Sequence, residues 1–161
     1  VLDAPFVMEQ GEGKKTWKPE NYGKKFYGPS TLRTGIEKSR NLMTVRVAQK
    51  VGFDQISKIT KDFGIYDDVP ELLSVSLGAA ETTLVKLTNA YCTFVNGGKK
   101  VTPIFIDRIQ DRRGKTIFNA DKRKCAGCEE ISYLKDEIPL IQDKREKLIT
   151  QETAYQNTSM M

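Results

Sequence analysis

Ser39 and Asn41 are the two residues of this chain whose types and spacing point most directly to shared chemistry. They flank Arg40 within the stretch Ser30 to Arg46, which reads as two short helices meeting at residues 39–41. Ser and Asn compete with the backbone for hydrogen bonds, so they favour helix ends over helix interiors. A Ser and an Asn two residues apart at such a junction can aim a hydroxyl and an amide into one cleft. The hydroxyl donates and accepts through a rotatable hydrogen, which suits proton transfer. The amide offers a carbonyl and an NH2, so it can hold a cation and a neighbouring amide together. Taken alone, the triplet reads more readily as a helix C-terminal residue, Ser39, and a helix cap, Asn41. Arg40 receives no chemical role. Lys38, although adjacent to Ser39, points about 100° away on a helix and is poorly placed as its base.

Other spacings are weaker. Ser132 and Lys135 form a literal Ser-x-x-Lys, but an activated nucleophile needs a positioned base. These two lie in a charged stretch without apolar flanks to bury and tune a lysine. Gly114-Lys-Thr116 lacks the earlier glycine of a phosphate-binding loop, because position 109 is Ile, so a nucleotide site is not supported. Of the three cysteines, Cys92 falls on the apolar face of a helix and reads as a buried free thiol. Cys125 and Cys128 form a Cys-x-x-Cys, which can be a redox pair, half of a zinc site or a local disulfide. The chain has no His and only one further Cys, which argues against a four-ligand zinc site. No metal or other cofactor is expected. The charged flanks, Asp121 to Lys124 and Glu129-Glu130, are not the strand and helix of a thioredoxin-like motif.

The elements that must hold the junction are legible from apolar spacing and caps. Residues 1–29 carry Gly, Pro, Lys and Asn with isolated aromatics (Phe6, Trp17, Tyr22, Phe26, Tyr27) and read as an extended lead-in packed by those anchors. Residues 30–98 read as a helical lobe. Pro29-Ser30 is the expected cap of a helix carrying Leu32 and Ile36 and ending near Ser39. A second helix carries Leu42, Val45 and Ala48, with Val47 beside them, to Gly52. A third begins at Asp54 as N-cap and presents Ile56, Ile59 and Phe63 before Gly64. Thr83 caps a fourth with Leu84, Leu87, Ala90, Tyr91 and Phe94 inward, ending at Asn96-Gly97-Gly98. Residues 99–119 contain a β-hairpin around Asp111 to Gly114, and 120–147 a charged insertion bearing the Cys-x-x-Cys. Residues 148–161 begin a terminal helix, from about Pro139 or Thr150.

Composition bounds the rest. At 161 residues the chain can form one domain, burying about 70% of its unfolded surface. The net charge of +5 is spread along the chain without an interleaved basic and aromatic stripe, so no nucleic-acid partner is expected. No apolar run of some 18 residues spans a membrane.

The residues around the junction resemble the transpeptidase domain of class A, 1A-type (bifunctional) penicillin-binding proteins. The resemblance runs through Val1 to Val7, Trp17 to Tyr22, Gly28 to Arg33, Glu37 to Asn41, Val51-Gly52 and Phe63 to Ile65. It continues through Ser76 to Gly78, Glu81 to Thr83, Ala90-Tyr91, Phe94 to Gly98, Val101 to Pro103, Ile109 to Lys115 and Ile149 to Gln156. It covers about two thirds of the chain in the family's order. That family uses Ser-x-x-Lys, then Ser-x-Asn, then Lys-Thr-Gly. Ser39-Arg40-Asn41 stands where the second belongs. Ser132 to Lys135 comes after it when the first should precede, and Lys115-Thr116-Ile117 has Ile where the third needs Gly. Gly35 replaces the family's usual Ala, which should loosen its helix by about 1 kcal/mol.

The resemblance implies an α-rich α+β fragment: the helical lobe of a penicillin-binding transpeptidase, of the β-lactamase/transpeptidase-like fold, with a small hairpin and an incomplete central sheet. All the segments above would belong to one partial transpeptidase domain. The implied function is a peptidoglycan D,D-transpeptidase that cross-links stem peptides through a serine acyl-enzyme and is trapped by β-lactams. Ser39 and Asn41 would be catalytic, and the chain alone inactive for want of the other two elements. The implied location is the periplasmic face of the bacterial inner membrane, where the resemblance favours a disulfide between Cys125 and Cys128. An open apolar face on such a piece leads to an expectation of self-association. The alternative is a non-catalytic periplasmic interaction module.

Overall fold

The computed structural model describes residues 1–9, 16–123 and 141–161. The lead-in folds back on itself: β1 (Leu2–Asp3) pairs antiparallel with β2 (Gly28–Pro29), setting Asp3 opposite Gly28. A single bridge between Met8 and Trp17 ties the intervening excursion, and Trp17 meets Phe6 edge-on at 6.3 Å. Phe6 is buried, as an anchor should be, whereas Tyr22, Phe26 and Tyr27 are exposed.

Helix α1 (Leu32–Glu37) starts one residue later than expected. Its cap is Thr31, whose Oγ1 accepts from the Thr34 N–H at 3.2 Å. Ser30 is otherwise engaged, its N–H donating to the Val1 carbonyl at 2.9 Å. Helix α2 (Asn41–Val51) buries Leu42, Val45 and Ala48, the spacing read from the sequence. Leu42 and Val45 form the core with Phe6, and Trp17, Leu73 and Leu77 pack against them. Met43 is also buried, and Gly35 is the reason. A Cβ at position 35 would stand 2.9 Å from the Met43 Cε, so the missing side chain makes room for the thioether.

Helix α3 (Phe53–Asp62) is capped by Gly52 and not by Asp54, which lies in the first turn without a capping bond. Gly52, at φ +89°, ends α2 and starts α3 in one residue, leaving no separate position for a cap. The Asp54 carboxylate, in the first turn, still suits the positive end of the helix dipole. No residue of α3 is buried, and Ile59 is exposed; Phe63 just beyond is buried and lies 5.4 Å from Phe94. A 3-10 turn (Leu73–Leu77) leads on to α4 (Leu84–Val95), where Thr83 caps the Lys86 N–H at 3.2 Å as expected.

The inward face of α4 is only partly the one expected: Ala90 is buried and Phe94 is half-buried against Phe63. Leu84, Leu87 and Tyr91 are exposed, and Ala90 and Thr93 are the buried residues. The side covered is the one that packs on α5 (Gln151–Thr158), where Ala154 is buried in turn. Cys92, expected in the core, is exposed for the same reason. Helix α5 takes Thr150 as its cap. Between α4 and α5, β3 (Arg108–Gln110) and β4 (Thr116–Asn119) form the expected antiparallel hairpin. The described residues thus hold an α-rich lobe with two small two-stranded ribbons and no larger sheet.

Candidate active site

The junction between α1 and α2 is built from backbone first. Past the last helical residue, the Ser39 N–H donates to the Ile36 carbonyl at 3.0 Å and the Arg40 N–H to the Gly35 carbonyl at 2.9 Å. This pair of bonds is a Schellman closure, which requires a left-handed residue just after the helix, usually Gly. Here that residue is Ser39, at φ +48°. The ends of α3 and α4 make the same closure with Gly64 and Gly97. A non-glycine residue there costs about 1–2 kcal/mol, and such strain concentrates where a side chain is needed.

Ser39 is exposed. Its Oγ makes no hydrogen bond among the described residues. Asn41 is the first residue of α2 and does not cap it; its Nδ2 donates to the Glu20 carbonyl at 2.8 Å. The Asn41 Oδ1 is left facing no donor among the described residues. Arg40, which has no chemical role in the Ser-x-Asn pattern, lies over the Tyr27 ring with Cζ 3.2 Å from its centroid, a cation–π contact. The N–H of Leu42 goes to the Oδ1 of Asn21 at 3.3 Å. Residues 20, 21 and 27 of the lead-in therefore meet residues 41, 42 and 40. None of these contacts has a local sequence signal, since each partner lies well outside one helical turn.

The structure brings Ser39 and Asn41 together at one junction, as their spacing indicated. Cys125, Cys128, Ser132 and Lys135 lie outside the described residues. Lys115 and Thr116 belong to the hairpin, away from the junction. Among the described residues, no group of three or more His, Cys, Asp or Glu is placed to hold a metal ion. A separate cleft of about 420 Å³, lined by Asp67, Glu81 and Lys86 among others, shares no residue with the junction.

Residues 3–158 match the family described as the penicillin binding protein transpeptidase domain. The chain belongs to that family, as the resemblance in its motifs implied. It is 51% identical over 126 residues to penicillin-binding protein 1A of Rickettsia bellii, covering 78% of this chain and 16% of that protein. To penicillin-binding protein 1A of Rickettsia conorii it is 44% identical over 162 residues, 99% of this chain and 20% of the relative. The crystal structure of penicillin-binding protein 1A from Haemophilus influenzae superposes with a TM-score of 0.78 at 32% identity, over 96% of this chain and 24% of that one. The chain therefore spans about a fifth of the length of the curated relatives it matches. The α-rich lobe with an incomplete sheet is the fold expected from the sequence.

Proposed function

We propose that this chain supplies the second of the three active-site elements of a serine D,D-transpeptidase, with Ser39 and Asn41 as its catalytic residues. The observation that carries the reading is the exposed Ser39 hydroxyl beside Asn41, at a turn for which the ends of α3 and α4 use Gly64 and Gly97. In the reaction, the serine of the Ser-x-x-Lys element attacks the D-alanyl-D-alanine carbonyl of a stem peptide. The peptide C–N bond breaks, the terminal D-alanine leaves as an amine, and an acyl-enzyme remains. An amine from a neighbouring strand then attacks the ester and releases the serine. Ser39 passes the proton between the lysine of the first element and the leaving amine. Asn41 holds that lysine ammonium on its free Oδ1, while its Nδ2 stays anchored to Glu20. β-Lactams enter the same site as donors and stop at the acyl stage.

Residues 30–98 act as the helical lobe, 1–29 as its lead-in, 99–119 as a hairpin, 120–147 as a charged insertion and 148–161 as the start of a terminal helix, all within one transpeptidase domain. The parent works at the periplasmic face of the inner membrane; no helix among the described residues is long and apolar enough to cross a membrane. Leu84, Leu87 and Tyr91 leave α4 partly apolar towards solvent, so the isolated chain self-associates. Light scattering giving a clean monomer removes that part.

The test places this chain in the frame of the Rickettsia conorii protein, replacing the residues it aligns with. Intact mass is then read after incubation with a reactive penicillin, beside this chain alone. Acylation of the hybrid only, abolished by Ser39→Ala, is the expected result. A folded hybrid that takes no acyl group favours the non-catalytic interaction module. Acylation of the chain alone overturns the reading and points to Ser132.

A further inference from the structure

We infer that Asn21, held by Asp3, is a positioning residue for the junction: it caps α2 from outside the helix and so leaves the Ser39 hydroxyl and the Asn41 Oδ1 uncommitted. The consequence for acyl transfer rests on the transpeptidase reading above; the capping does not.

The first N–H groups of a helix need acceptors, commonly a Ser, Thr, Asp or Asn side chain at the N-cap. Helices α1, α4 and α5 follow that rule with Thr31, Thr83 and Thr150. Helix α2 does not. Its N-cap is Arg40, which makes no capping bond. Ser39 and Asn41 are both residue types that could cap, and neither does. The Leu42 N–H, at the second helical position, is met by Asn21 Oδ1 at 3.3 Å.

Asn21 can serve in this way because its amide has one workable orientation. It is 4% exposed, and its Nδ2 donates to Asp3 Oδ1 at 2.7 Å and to the Lys25 carbonyl at 2.9 Å. Both NH2 hydrogens are used on acceptors, so the carbonyl must face Leu42. A flipped amide would set its oxygen against two acceptors in a buried site, which costs more than the bond it loses. Asp3, 1% exposed in β1, enforces that polarity. Its Oδ2 has no hydrogen-bond partner among the described residues, so a buried carboxyl is kept there with half its acceptors idle. Buried polar groups are ordinarily satisfied. The exception fits a residue retained to orient Asn21.

The test uses Asn21→Asp, Asp3→Asn and the swap Asp3→Asn/Asn21→Asp. Amide exchange of Leu42 and of Ala48 is read in this chain, and the acylation rate at saturating penicillin in the hybrid. Asn21→Asp turns a donor into an acceptor facing Asp3 and Lys25. It should speed Leu42 exchange about tenfold while leaving Ala48 unchanged, and slow acylation by a similar factor. The swap reverses donor and acceptor within the pair and restores most of both. Unchanged Leu42 exchange in Asn21→Asp, equal loss at Leu42 and Ala48, or a swap no better than Asn21→Asp overturns the proposal. Should Asn21→Asp not fold, the swap decides alone: a folded protein with a protected Leu42 supports the cap, and an unfolded one overturns it. A hybrid that never acylates sinks the transpeptidase reading, while Leu42 exchange still decides the capping.

Discussion

The Arg40 N–H reaches across the end of α1 to the Gly35 carbonyl at 2.9 Å, and this bond fixes where Ser39 stands. An identical closure ends α3, where the Ile65 N–H bonds to the Thr60 carbonyl at 2.9 Å with Gly64 between. The two helix ends have the same backbone solution and differ in the residue placed at its left-handed position. At α3 the chain uses the residue without a Cβ. At α1 it keeps a hydroxyl there and accepts the strain.

Ser39→Gly should therefore stabilise the protein. Relief of left-handed strain gains about 1–2 kcal/mol, and the extra freedom of Gly in the unfolded chain takes back roughly 0.5–1 kcal/mol. The expected net gain is about 0.5–1 kcal/mol in urea unfolding of this chain. Ser39→Ala keeps the strain and should be close to neutral. Both remove penicillin acylation in the hybrid. If Ser39→Gly is less stable than the parent, the strain argument fails.

Gly98 and Gly97 give a second contrast, this time decided by space. Both have positive φ, at +83° and +67°. A Cβ at Gly97 meets only the flexible Gln151 side chain, at 3.7 Å. A Cβ at Gly98 falls 2.8 Å from Ile149 Cγ1 and against the Ile149 carbonyl oxygen, which is backbone. Gly98 also accepts the Leu148 N–H at 2.9 Å, so the approach holds the segment before α5 to the end of α4. Gly97→Ala should cost about 1 kcal/mol from strain alone. Gly98→Ala should cost about 3 kcal/mol or more, because overpacking is added. Equal denaturation midpoints for the two variants would count against the close approach.

The two helix ends around Ser39 were legible because small polar residues and apolar spacing are local signals. Thr83 was legible as a cap for the same reason. What periodicity could not supply is which face acquires a partner. Of the stripe expected inward on α4, Ala90 is buried and Phe94 half-buried, yet Leu84, Leu87 and Tyr91 stay exposed, Thr93 is buried in their place, and Cys92 faces outward. Asp54 was misplaced because Gly52 serves two helices at once. Asn21 and Tyr27 were missed because their partners at the junction lie far along the chain. A cap supplied from outside a helix leaves no trace in the helix's own sequence beyond the absence of a bonded cap.

Arg33 joins α1 to the end of α5. Its guanidinium donates to the Ser159 carbonyl at 3.0 Å and to Ser159 Oγ at 3.1 Å, while pairing with Glu37 at 3.3 Å. The Arg33–Glu37 pair is exposed, so its own worth is about 0.5 kcal/mol or less. Arg33→Lys keeps the charge and loses the fork that spans both Ser159 oxygens. Global stability should fall by less than about 1 kcal/mol. Exchange of the Met160 and Met161 amides, which bond to the Asn157 carbonyl, should rise several-fold as the last turn of α5 frays. Unchanged exchange there would show that Ser159 does not hold that end.

Asp143 gives the pH dependence a sign. Its carboxyl is held well below the usual carboxylate range, first by the Arg145 side chain, then by Lys99, with the Arg145 backbone N–H adding to both. Arg145 also reaches Asn96 Oδ1 at 3.1 Å, and Lys99 pairs with Asp143 at 2.8 Å, so the group ties the end of α4 to the segment entering α5. A carboxyl with a depressed folded value binds fewer protons folded than unfolded between the two values. Its contribution is therefore complete above the unfolded value of about 3.9 and lost as pH falls through the folded one. Asp121, held at about 2 by Arg123, acts in the same direction. The thermal midpoint should change little on this account between pH 7 and pH 5 and drop below about pH 4. Asp143→Asn should lower the midpoint at pH 7 and approach the parent as pH falls, because the parent then loses what the variant already lacks. Salt at 1 M should narrow the gap at pH 7, since Asp143 and its partners all retain solvent contact. A gap that stays constant from pH 7 to pH 2 would mean that the variant acts through packing and not through charge.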